Sequence, residues 1–482
     1  MTQGARIEIL SSGDAALDSI LGGGIPASSV NVIAGTPGAG KTLFTIQMLF
    51  HLARQKMKSL YFTTLSEPAV KLVRYIQQFP FFDENLLDDA VQFVDVSTTL
   101  RKKGAEEAVS TLIARVEEAE PALVAIDSFK AVSDLMPDPV RHRTVVHDLA
   151  VHMAAWGATT FLVGEYSAEQ AVSWPEFVIA DGIILLGYRP VGLAAVRELN
   201  VLKLRGANYV TGTHFFDIRP DGVTFYPRVR APEPINGWSA AERLTTGVRG
   251  LDDLLSGGFP HGSGTVVQGA SGTGKTLFGL HFLMEGVRRG ERTALFTLEE
   301  TPDQLRKIAG GFAADLAAME ARGDLLLKYS SPVELSTDRF LNEVRDHVAR
   351  TGARRVVLDS LTSLALGAPS ESRFKELVYA LTKHLRMVGA SVLMTMEIPE
   401  LLGSPLITGH GVSFAADNLV QLRYVEVENH LERAILIIKV RGVNHSTQLH
   451  RLKLQTGGLH VGSAMAGKGA LLSEAPARGA KP

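Results

Sequence analysis

The sequence predicts two consecutive α/β domains, each a mostly parallel, twisted β-sheet flanked by helices. The first reason is an internal repeat: GTPGAGKT at 35–42 returns as GASGTGKT at 269–276, 234 residues later, and shorter stretches around it return in the same order. The second is that short apolar runs alternate with helical patterns, as they do in βαβ units. The third is that many runs are apolar throughout, which is typical of parallel strands covered on both faces.

The elements follow from these patterns in chain order. A helix is predicted over 41–55, where Leu43, Phe44, Met48 and Leu52 recur at near-helical spacing. The predicted strands of the first unit are 29–35, 59–65, 123–127, 159–163, 182–186 and 200–204. Those of the second unit are 265–269, 293–298, 355–359, 391–395, 418–422 and 434–440.

The repeat also sets the expected domain boundaries. The first domain is predicted to cover 1–229 and the second 244–456, with a proline-rich linker at 230–243. The segment 457–482 is rich in glycine, alanine and serine and has little apolar periodicity. We therefore expect a flexible tail from residue 457 onward.

The composition excludes several classes of protein. The 482 residues are 45% hydrophobic and 21% charged, as in globular proteins, and the net charge is −2. This balance gives no general attraction for nucleic acid or anionic lipid, so neither is expected as a partner. Without cysteine, disulfides, iron–sulfur clusters and thiol catalysis are excluded. No signal peptide or membrane-spanning apolar run is recognisable, which predicts a cytoplasmic protein.

Each unit carries the pattern GxxxxGK[ST] between a predicted strand and a predicted helix, which is the context of a P-loop. Its glycines let backbone N–H groups surround phosphates at a helix N-terminus. Lys41 and Lys275 are expected to reach the β- and γ-phosphates of ATP, and Thr42 and Thr276 to ligate Mg²⁺. The residues expected to hold the nucleotide are Gly35, Thr36, Pro37, Gly38, Ala39, Gly40, Lys41, Thr42, Gly269, Ala270, Ser271, Gly272, Thr273, Gly274, Lys275 and Thr276.

Acidic residues follow two of the predicted strands in each unit. Asp127 and Asp359 each end an apolar strand downstream of a P-loop, as a Walker B aspartate that holds the metal does. The alternative is an aspartate that caps the next helix. Glu165 and Glu397 each lie 38 residues further on, which predicts a shared place near the nucleotide or, alternatively, a solvated strand end.

A carboxylate that activates the attacking water is expected at the end of the second long strand. Glu299 and Glu300 stand there in the sequence TLEETP. The corresponding stretch of the first unit reads TLSEPA, and with a one-residue gap Ser66 aligns with Glu299 and Glu67 with Glu300. We expect the first unit to bind ATP and the second to hydrolyse most of it. The alternative is that these glutamates only begin a helix.

A pair of basic residues alternates along a late strand of each unit, so that both side chains of a pair face one side. The pairs are Lys203 with Arg205 and Lys439 with Arg441. Basic groups in an apolar strand require an anion, and arginine commonly stabilises phosphoryl-transfer charge within its own chain or in a neighbour. Ordinary surface ion pairs are the alternative.

Together these motifs resemble those of the KaiC family of tandem RecA-type ATPases, over about residues 1–460. The pieces that carry the resemblance are G-x4-LD, GG-x-P, the P-loops, TLEETP, AIDS/VLDS and K-x-RG. The resemblance implies two RecA-like P-loop NTPase domains that hydrolyse ATP with Mg²⁺. It also implies a homo-hexamer of two stacked rings with ATP between subunits, in which both basic pairs reach the γ-phosphate of the adjacent subunit. Regulatory protein partners are compatible with it.

The same resemblance points to one modification site. Clock members of the family phosphorylate an adjacent Ser-Thr pair in the second domain, and an alignment anchored on Asp417 places Ser413 and Phe414 there. One acceptor is kept and one is lost, so Ser413 is the candidate for autophosphorylation, while cyclic two-site phosphorylation is in doubt. Two other functions remain open: a DNA-dependent ATPase of the RecA type, and a nucleotide-sensing scaffold that does not hydrolyse ATP.

Overall fold

The computed structural model describes residues 7–65, 67–166, 174–191, 194–229, 242–332, 336–368, 370–398 and 416–465. The chain divides into two compact units, 1–228 and 229–482. Each unit is built on one nine-stranded sheet, mostly parallel and flanked by helices, which confirms the predicted fold class. Among the described residues, no helix combines the length and the apolar character needed to cross a membrane.

The first unit alternates strands and helices along most of its length. Its strands are β1 Ile9–Leu10, β2 Ile25–Pro26, β3 Val30–Gly35, β4 Ser59–Thr63, β5 Val91–Asp95, β6 Leu123–Asp127, β7 Thr159–Gly164, β8 Gly182–Val191, β9 Ala194–Leu204, β10 Thr213–Arg219 and β11 Gly222–Tyr226. Its helices are α1 Ala15–Leu21, α2 Lys41–Arg54, α3 Ala69–Ile76, α4 Ser97–Lys103, α5 Ala105–Ala119, α6 Phe129–Ser133, α7 Pro139–Ala155 and α8 Pro175–Ile179.

The sheet of the first unit has the order β11-β10-β9-β8-β3-β7-β6-β4-β5. The six strands from β8 to β5 run parallel, and β9, β10 and β11 add an antiparallel meander. Both faces are covered. Along β3, Val32 packs into the core on the side of α5 and α7, while its neighbour Ile33 packs into the core around α2. This explains why the strand is apolar at every position.

The second unit repeats this plan. Its strands are β12 Arg243–Leu244, β13 Phe259–Pro260, β14 Gly264–Gly269, β15 Thr293–Thr297, β16 Leu325–Tyr329, β17 Arg355–Asp359, β18 Ser391–Glu397, β19 Asn418–Val427, β20 His430–Val440, β21 His450–Gln455 and β22 Gly458–Ala464. Its helices are α9 Leu251–Leu254, α10 Lys275–Arg288, α11 Pro302–Gly310, α12 Leu316–Ala321, α13 Thr337–Thr351, α14 Leu361–Leu366 and α15 Glu371–Met387. The sheet order is β16-β15-β17-β18-β14-β19-β20-β21-β22.

The predicted flexible tail is wrong at its beginning. Residues 458–464 form β22, which pairs antiparallel with β21. Leu459 and Val461 alternate into the core, and the Leu459 N–H donates to His281 Nε2 at 3.0 Å. Two apolar residues at a spacing of two are enough to bury one face of a short strand. Because the neighbouring residues are mostly glycine, alanine and serine, the sequence shows little apolar periodicity there. Residues 466–482 and most of the predicted linker, 230–241, lie outside the described residues.

Candidate functional site

Each P-loop connects the central strand of its sheet to the helix behind it. Gly35 ends β3 and Gly269 ends β14. A Cβ atom on either would lie only 1.9 or 2.3 Å from the carbonyl oxygen of the neighbouring strand, so the loop can leave the sheet there only as glycine. Gly40 and Gly274 adopt positive φ angles of 93° and 104° and precede the first helical residue. Because no side chain caps either helix, their first N–H groups are available to phosphate oxygens.

The P-loop lysines are buried and folded back over their own loops. The Lys41 ammonium donates to the carbonyl oxygens of Gly35 and Thr36 at 3.0 and 2.9 Å. Lys275 donates to the carbonyl oxygen of Ala270 at 3.0 Å. Burial lowers the pKa of Lys41, an effect that the charges of Glu165 and Asp127 oppose. Both lysines therefore lie where an anionic ligand would draw them away from the loop carbonyls.

In the first unit, the predicted metal ligands meet directly. The Thr42 hydroxyl donates to Asp127 Oδ2 at 2.7 Å, and the Tyr61 hydroxyl donates to the same oxygen at 2.5 Å. Glu165 lies 3.7 Å from the Lys41 ammonium, next to the place expected for phosphate. The loop, Asp127, Glu165 and Glu67 line one open cavity of about 740 Å³.

In the second unit, two carboxylates lie beside the P-loop threonine. Thr276 lies 3.5 Å from Glu300 Oε1, and Asp359 also interacts with Thr276. Glu300 Oε2 and Asp359 Oδ2 are buried without a hydrogen-bond partner. Burial raises the pKa of Asp359 and of Glu300, and the neighbouring carboxylates raise both further. Such a cluster of buried, partnerless oxygens is the set of ligands that fits Mg²⁺.

Glu299 does not behave as a residue that only begins a helix. Helix α11, which follows it, is capped by Thr301 and Gln304 in a reciprocal capping box. The Glu299 carboxylate instead accepts hydrogen bonds from the hydroxyls of Ser360 and Ser363, the latter at 2.9 Å, directly after Asp359. Glu299 therefore lies next to the aspartate predicted to bind the metal, with its carboxylate held in place and its side chain open to solvent.

The structure corrects the alignment of Ser66 and Glu67 with this glutamate pair. Thr64 N donates to the Asp127 carbonyl at 3.1 Å, and Leu298 N makes the equivalent bond to Asp359 at 2.6 Å. Counted from these bonds without a gap, Leu65 matches Glu299, Ser66 matches Glu300, and Glu67 matches Thr301. Ser66 itself lies outside the described residues.

Glu67 nevertheless lines the cavity of the first unit. It forms an ion pair of 3.1 Å with Lys71, one turn along α3. In the second unit, Glu397 ends β18, and its N–H donates to Thr362 at 2.9 Å. Glu165 and Glu397 were both predicted to lie near the nucleotide. The structure brings Glu165 to its P-loop lysine, whereas Glu397 contacts Thr362 through its backbone N–H.

The basic pairs and the P-loops lie at opposite ends of the strands. Strand β9 ends level with Asn31, and β20 ends level with Thr265. Each pair therefore sits four residues, or about 13 Å, before the glycine that opens the P-loop of its own unit. Lys203 and Lys439 lie on the strands, whereas Arg205 and Arg441 follow the last strand residue.

Both pairs are anchored in the same way. Lys203 donates to the carbonyl of Ala180, and Lys439 donates to the carbonyl of Ala416 at 2.8 Å. The arginine of each pair forms an ion pair with the aspartate that follows this alanine in the sequence. Arg205 lies 3.3 Å from Asp181, and Arg441 lies 3.4 Å from Asp417. Sequence reasoning left open whether the pairs serve their own unit or a neighbour, and this placement separates each pair from its own phosphate site.

Sequence reasoning missed two hydroxyl groups at the Walker B aspartates. One is Tyr61, and the other is Thr395, whose hydroxyl donates to Asp359 Oδ1. Both side chains are fully buried. A tyrosine and a threonine within apolar strands are the only signals that the sequence offers, and neither belongs to a motif.

Comparisons with known proteins agree with this architecture. A family model described as "ATPase: KaiC" matches residues 10–230 and again residues 244–465. The chain is 30% identical to the circadian clock oscillator protein KaiC of Picosynechococcus sp., over 96% of this chain and 91% of that protein. It is 29% identical to the circadian clock protein KaiC3 of Synechocystis sp., over 98% and 95%. The two tandem matches coincide with the two P-loop units, and the chain belongs to the KaiC family of ATPases.

Proposed function

We propose that this protein is a Mg²⁺-dependent ATPase in which the second unit performs most of the hydrolysis and the first unit mainly holds ATP. The observation that carries the proposal is in the second unit, where Glu300 and Asp359 lie beside Thr276. Glu299 is held next to them by Ser360 and Ser363. In the first unit, Leu65 takes the place of Glu299. Both units retain the cradle, the lysine and the metal-binding threonine that binding requires.

In the second unit, each residue has a definite role in this proposal. The loop N–H groups and Lys275 would bind the β- and γ-phosphates, and Thr276 and Asp359, with Glu300 beside them, would hold Mg²⁺. The chemistry that Mg²⁺ supplies when bound is positive charge against the phosphates. Glu299, fixed by Ser360 and Ser363, orients the attacking water and takes its proton.

The proposed active form is a homo-hexamer with ATP between subunits. The placement of Lys439 and Arg441 about 13 Å before the opening glycine of their own P-loop supports this. A basic pair anchored at that edge is suited to stabilising the γ-phosphate of an adjacent subunit. The Lys203 and Arg205 pair would do the same in the first ring and so strengthen the assembly.

The names of the relatives suggest a signalling or clock-type role, with regulatory protein partners. Autophosphorylation of Ser413 would fit such a role. Ser413 lies in 399–415, outside the described residues, so this part of the proposal rests on the sequence resemblance.

The test is ATP turnover by the full chain, measured with and without Mg²⁺ and with and without single-stranded DNA. Hydrolysis that requires Mg²⁺ and ignores DNA supports the proposal. Stimulation by DNA would identify a DNA-dependent motor, and ATP binding without turnover would identify a scaffold.

Two matched variants then separate the units. Lys275→Ala should abolish most turnover, while Lys41→Ala should chiefly weaken ATP-dependent assembly, measured by light scattering. The opposite pattern would reverse the roles of the two units.

A further inference from the structure

Each Walker B aspartate receives a hydrogen bond from a buried hydroxyl on a neighbouring strand, but the two units take that hydroxyl from opposite sides. In the first unit it comes from Tyr61 on β4, at 2.5 Å from Asp127 Oδ2. In the second unit it comes from Thr395 on β18. Strand β6 lies between β7 and β4, and its counterpart β17 lies between β18 and β15, so the two donors occupy different flanks.

The register shows that each unit has lost the donor that the other keeps. Tyr61 pairs with Ala125, and at the corresponding position of β15 Leu295 pairs with Val357. On the other flank, Val163 pairs with Asp127. In the second unit, Leu358 of β17 pairs with Met394 of β18, so Asp359 and Thr395, the next residue of each strand, lie side by side. The first unit thus has a hydroxyl at Tyr61 and none at Val163. The second unit has none at Leu295, which corresponds to Tyr61, and one at Thr395, which corresponds to Val163.

We propose that Tyr61 and Thr395 are positioning residues that fix the carboxylates of Asp127 and Asp359 for the metal ion. This inference rests on the proposed function, because it gives the aspartates their role at Mg²⁺. It goes beyond that function in naming one non-motif residue per unit on which metal affinity depends.

The contacts explain why a hydroxyl is needed. Both aspartates end a strand beside a P-loop threonine. A carboxylate free to rotate there would lose conformational freedom when it binds a metal or its water. A buried donor on a rigid strand removes that freedom in advance, and such outer partners typically change metal affinity about 10–100-fold. The tyrosine ring packs on Phe93, 5.5 Å away, so phenylalanine can replace it without leaving a cavity.

The test uses the full chain with Lys275→Ala, which confines nucleotide binding to the first unit. Mn²⁺ replaces Mg²⁺, and its affinity is measured by electron paramagnetic resonance in the presence of a non-hydrolysable ATP analogue. Tyr61→Phe should weaken Mn²⁺ binding about 10-fold. Adding Val163→Thr to that variant should restore most of the affinity, because it supplies the hydroxyl from the flank used by the second unit. Tyr75→Phe is the matched control: it lines the same cavity, with its ring against Lys71, and should change nothing.

The outcomes are distinguishable. Unchanged Mn²⁺ affinity in Tyr61→Phe, or a loss that Val163→Thr does not repair, overturns the inference. If the parent itself shows no Mn²⁺-dependent nucleotide binding, the proposed function fails instead.

Thr395→Val, nearly equal in shape, provides an independent arm in the second unit. Turnover by this variant should need about 10-fold more Mg²⁺ for half-maximal rate, with little change at saturating Mg²⁺. An unchanged Mg²⁺ requirement would contradict the inference there, even if Tyr61→Phe failed to fold.

Discussion

Leu65 occupies in the first unit the position that Glu299 occupies in the second. Both lie one residue beyond an equivalent backbone hydrogen bond, Thr64 to Asp127 in one unit and Leu298 to Asp359 in the other. The Leu65 side chain is 43% exposed at the cavity, and a hydrocarbon there can neither orient water nor accept its proton. The two sites therefore share the apparatus for binding and differ in the group expected to perform chemistry.

Replacing Glu299 with glutamine should remove most ATP turnover. The amide keeps the shape of the side chain but cannot take a proton, and a positioned general base typically contributes about 10²–10⁴-fold. Phosphate release at saturating ATP should fall within that range, while nucleotide binding, measured with a fluorescent ATP analogue, should be nearly unchanged.

Glu67→Gln is the matched control in the first unit, because Glu67 lines the cavity there but pairs with Lys71. It should retain most of the parental rate. Near-normal turnover in Glu299→Gln together with a large loss in Glu67→Gln would assign the chemistry to the first unit and contradict the proposal.

Arg441→Ala should be nearly inactive alone, yet active in mixtures. In the proposed hexamer, a subunit with Arg441→Ala keeps a working P-loop, and a neighbour with Lys275→Ala keeps the arginine. Equal mixing should restore complete sites at about a quarter of the interfaces, if each site takes its arginine from the adjacent subunit. The readout is ATP turnover before and after the two inactive proteins are combined.

The control is each variant alone, measured at twice its concentration in the mixture. A mixture that stays inactive, although light scattering shows mixed assemblies, would rule out sharing of the site between subunits.

Ser413 should carry phosphate after incubation with ATP and Mg²⁺, if the second unit is also an autokinase. Mass spectrometry of the digested protein should locate the group on Ser413 and lose it in Ser413→Ala. Lys275→Ala, in which the second P-loop is disabled, should prevent the modification. Lys41→Ala should allow it at protein concentrations where light scattering shows that the variant is still assembled. Absence of phosphate in the active parent protein would leave a plain ATPase.

The buried Glu176 should be important for the stability of the first unit. Its side chain is fully buried and lies 3.3 Å from His142 Nε2, with a hydrogen bond of 2.6 Å from the Tyr166 hydroxyl. Burial alone raises the pKa of Glu176, but the bonds from His142 and Tyr166 outweigh it, so the net pKa is lowered. Leaving a buried polar group without its partner typically costs about 1–3 kcal/mol.

The pH dependence of this effect follows from the direction of the shift. A carboxyl whose pKa is lower in the folded state contributes stability above its unfolded value, about 4.5, and loses it as pH falls through the folded value. Urea unfolding followed by tryptophan fluorescence reports on this unit, which contains Trp156 and Trp174. Glu176→Gln should be destabilised at pH 7, by an amount that shrinks below pH 4.5. Glu107→Gln, on an exposed ion pair, should stay within about 0.5 kcal/mol.

Much of this molecule could be predicted from the sequence, because its motifs have strict local requirements. The P-loops need glycine at fixed positions, and the buried parallel strands need apolar residues at every position, so both were recognisable. Strands such as β5 and β22 were missed because they lie at sheet edges and bury only some of their residues.

The partners of the Walker aspartates could not be predicted in the same way. Tyr61 and Thr395 contact Asp127 and Asp359 from strands that are distant in sequence, and only the register of the sheet brings them together. The mismatch between Leu65 and Glu299 was hidden for a related reason. The gapped alignment matched residues of similar type. The equivalent backbone hydrogen bonds instead fix how many residues lie between the strand end and each side chain, and this count matches Leu65 with Glu299.

Lys439 and Arg441 lie at the opposite end of the strands from the P-loop of their own unit. The parts proposed to carry out turnover are therefore divided between two places on one folded chain. No motion of a side chain spans about 13 Å of rigid strand. If the adjacent subunit completes the site, a dilute solution of this protein can store nucleotide without consuming it. Consumption would then rise steeply above a threshold concentration, so that the amount of protein in the cell would itself regulate how much ATP is spent.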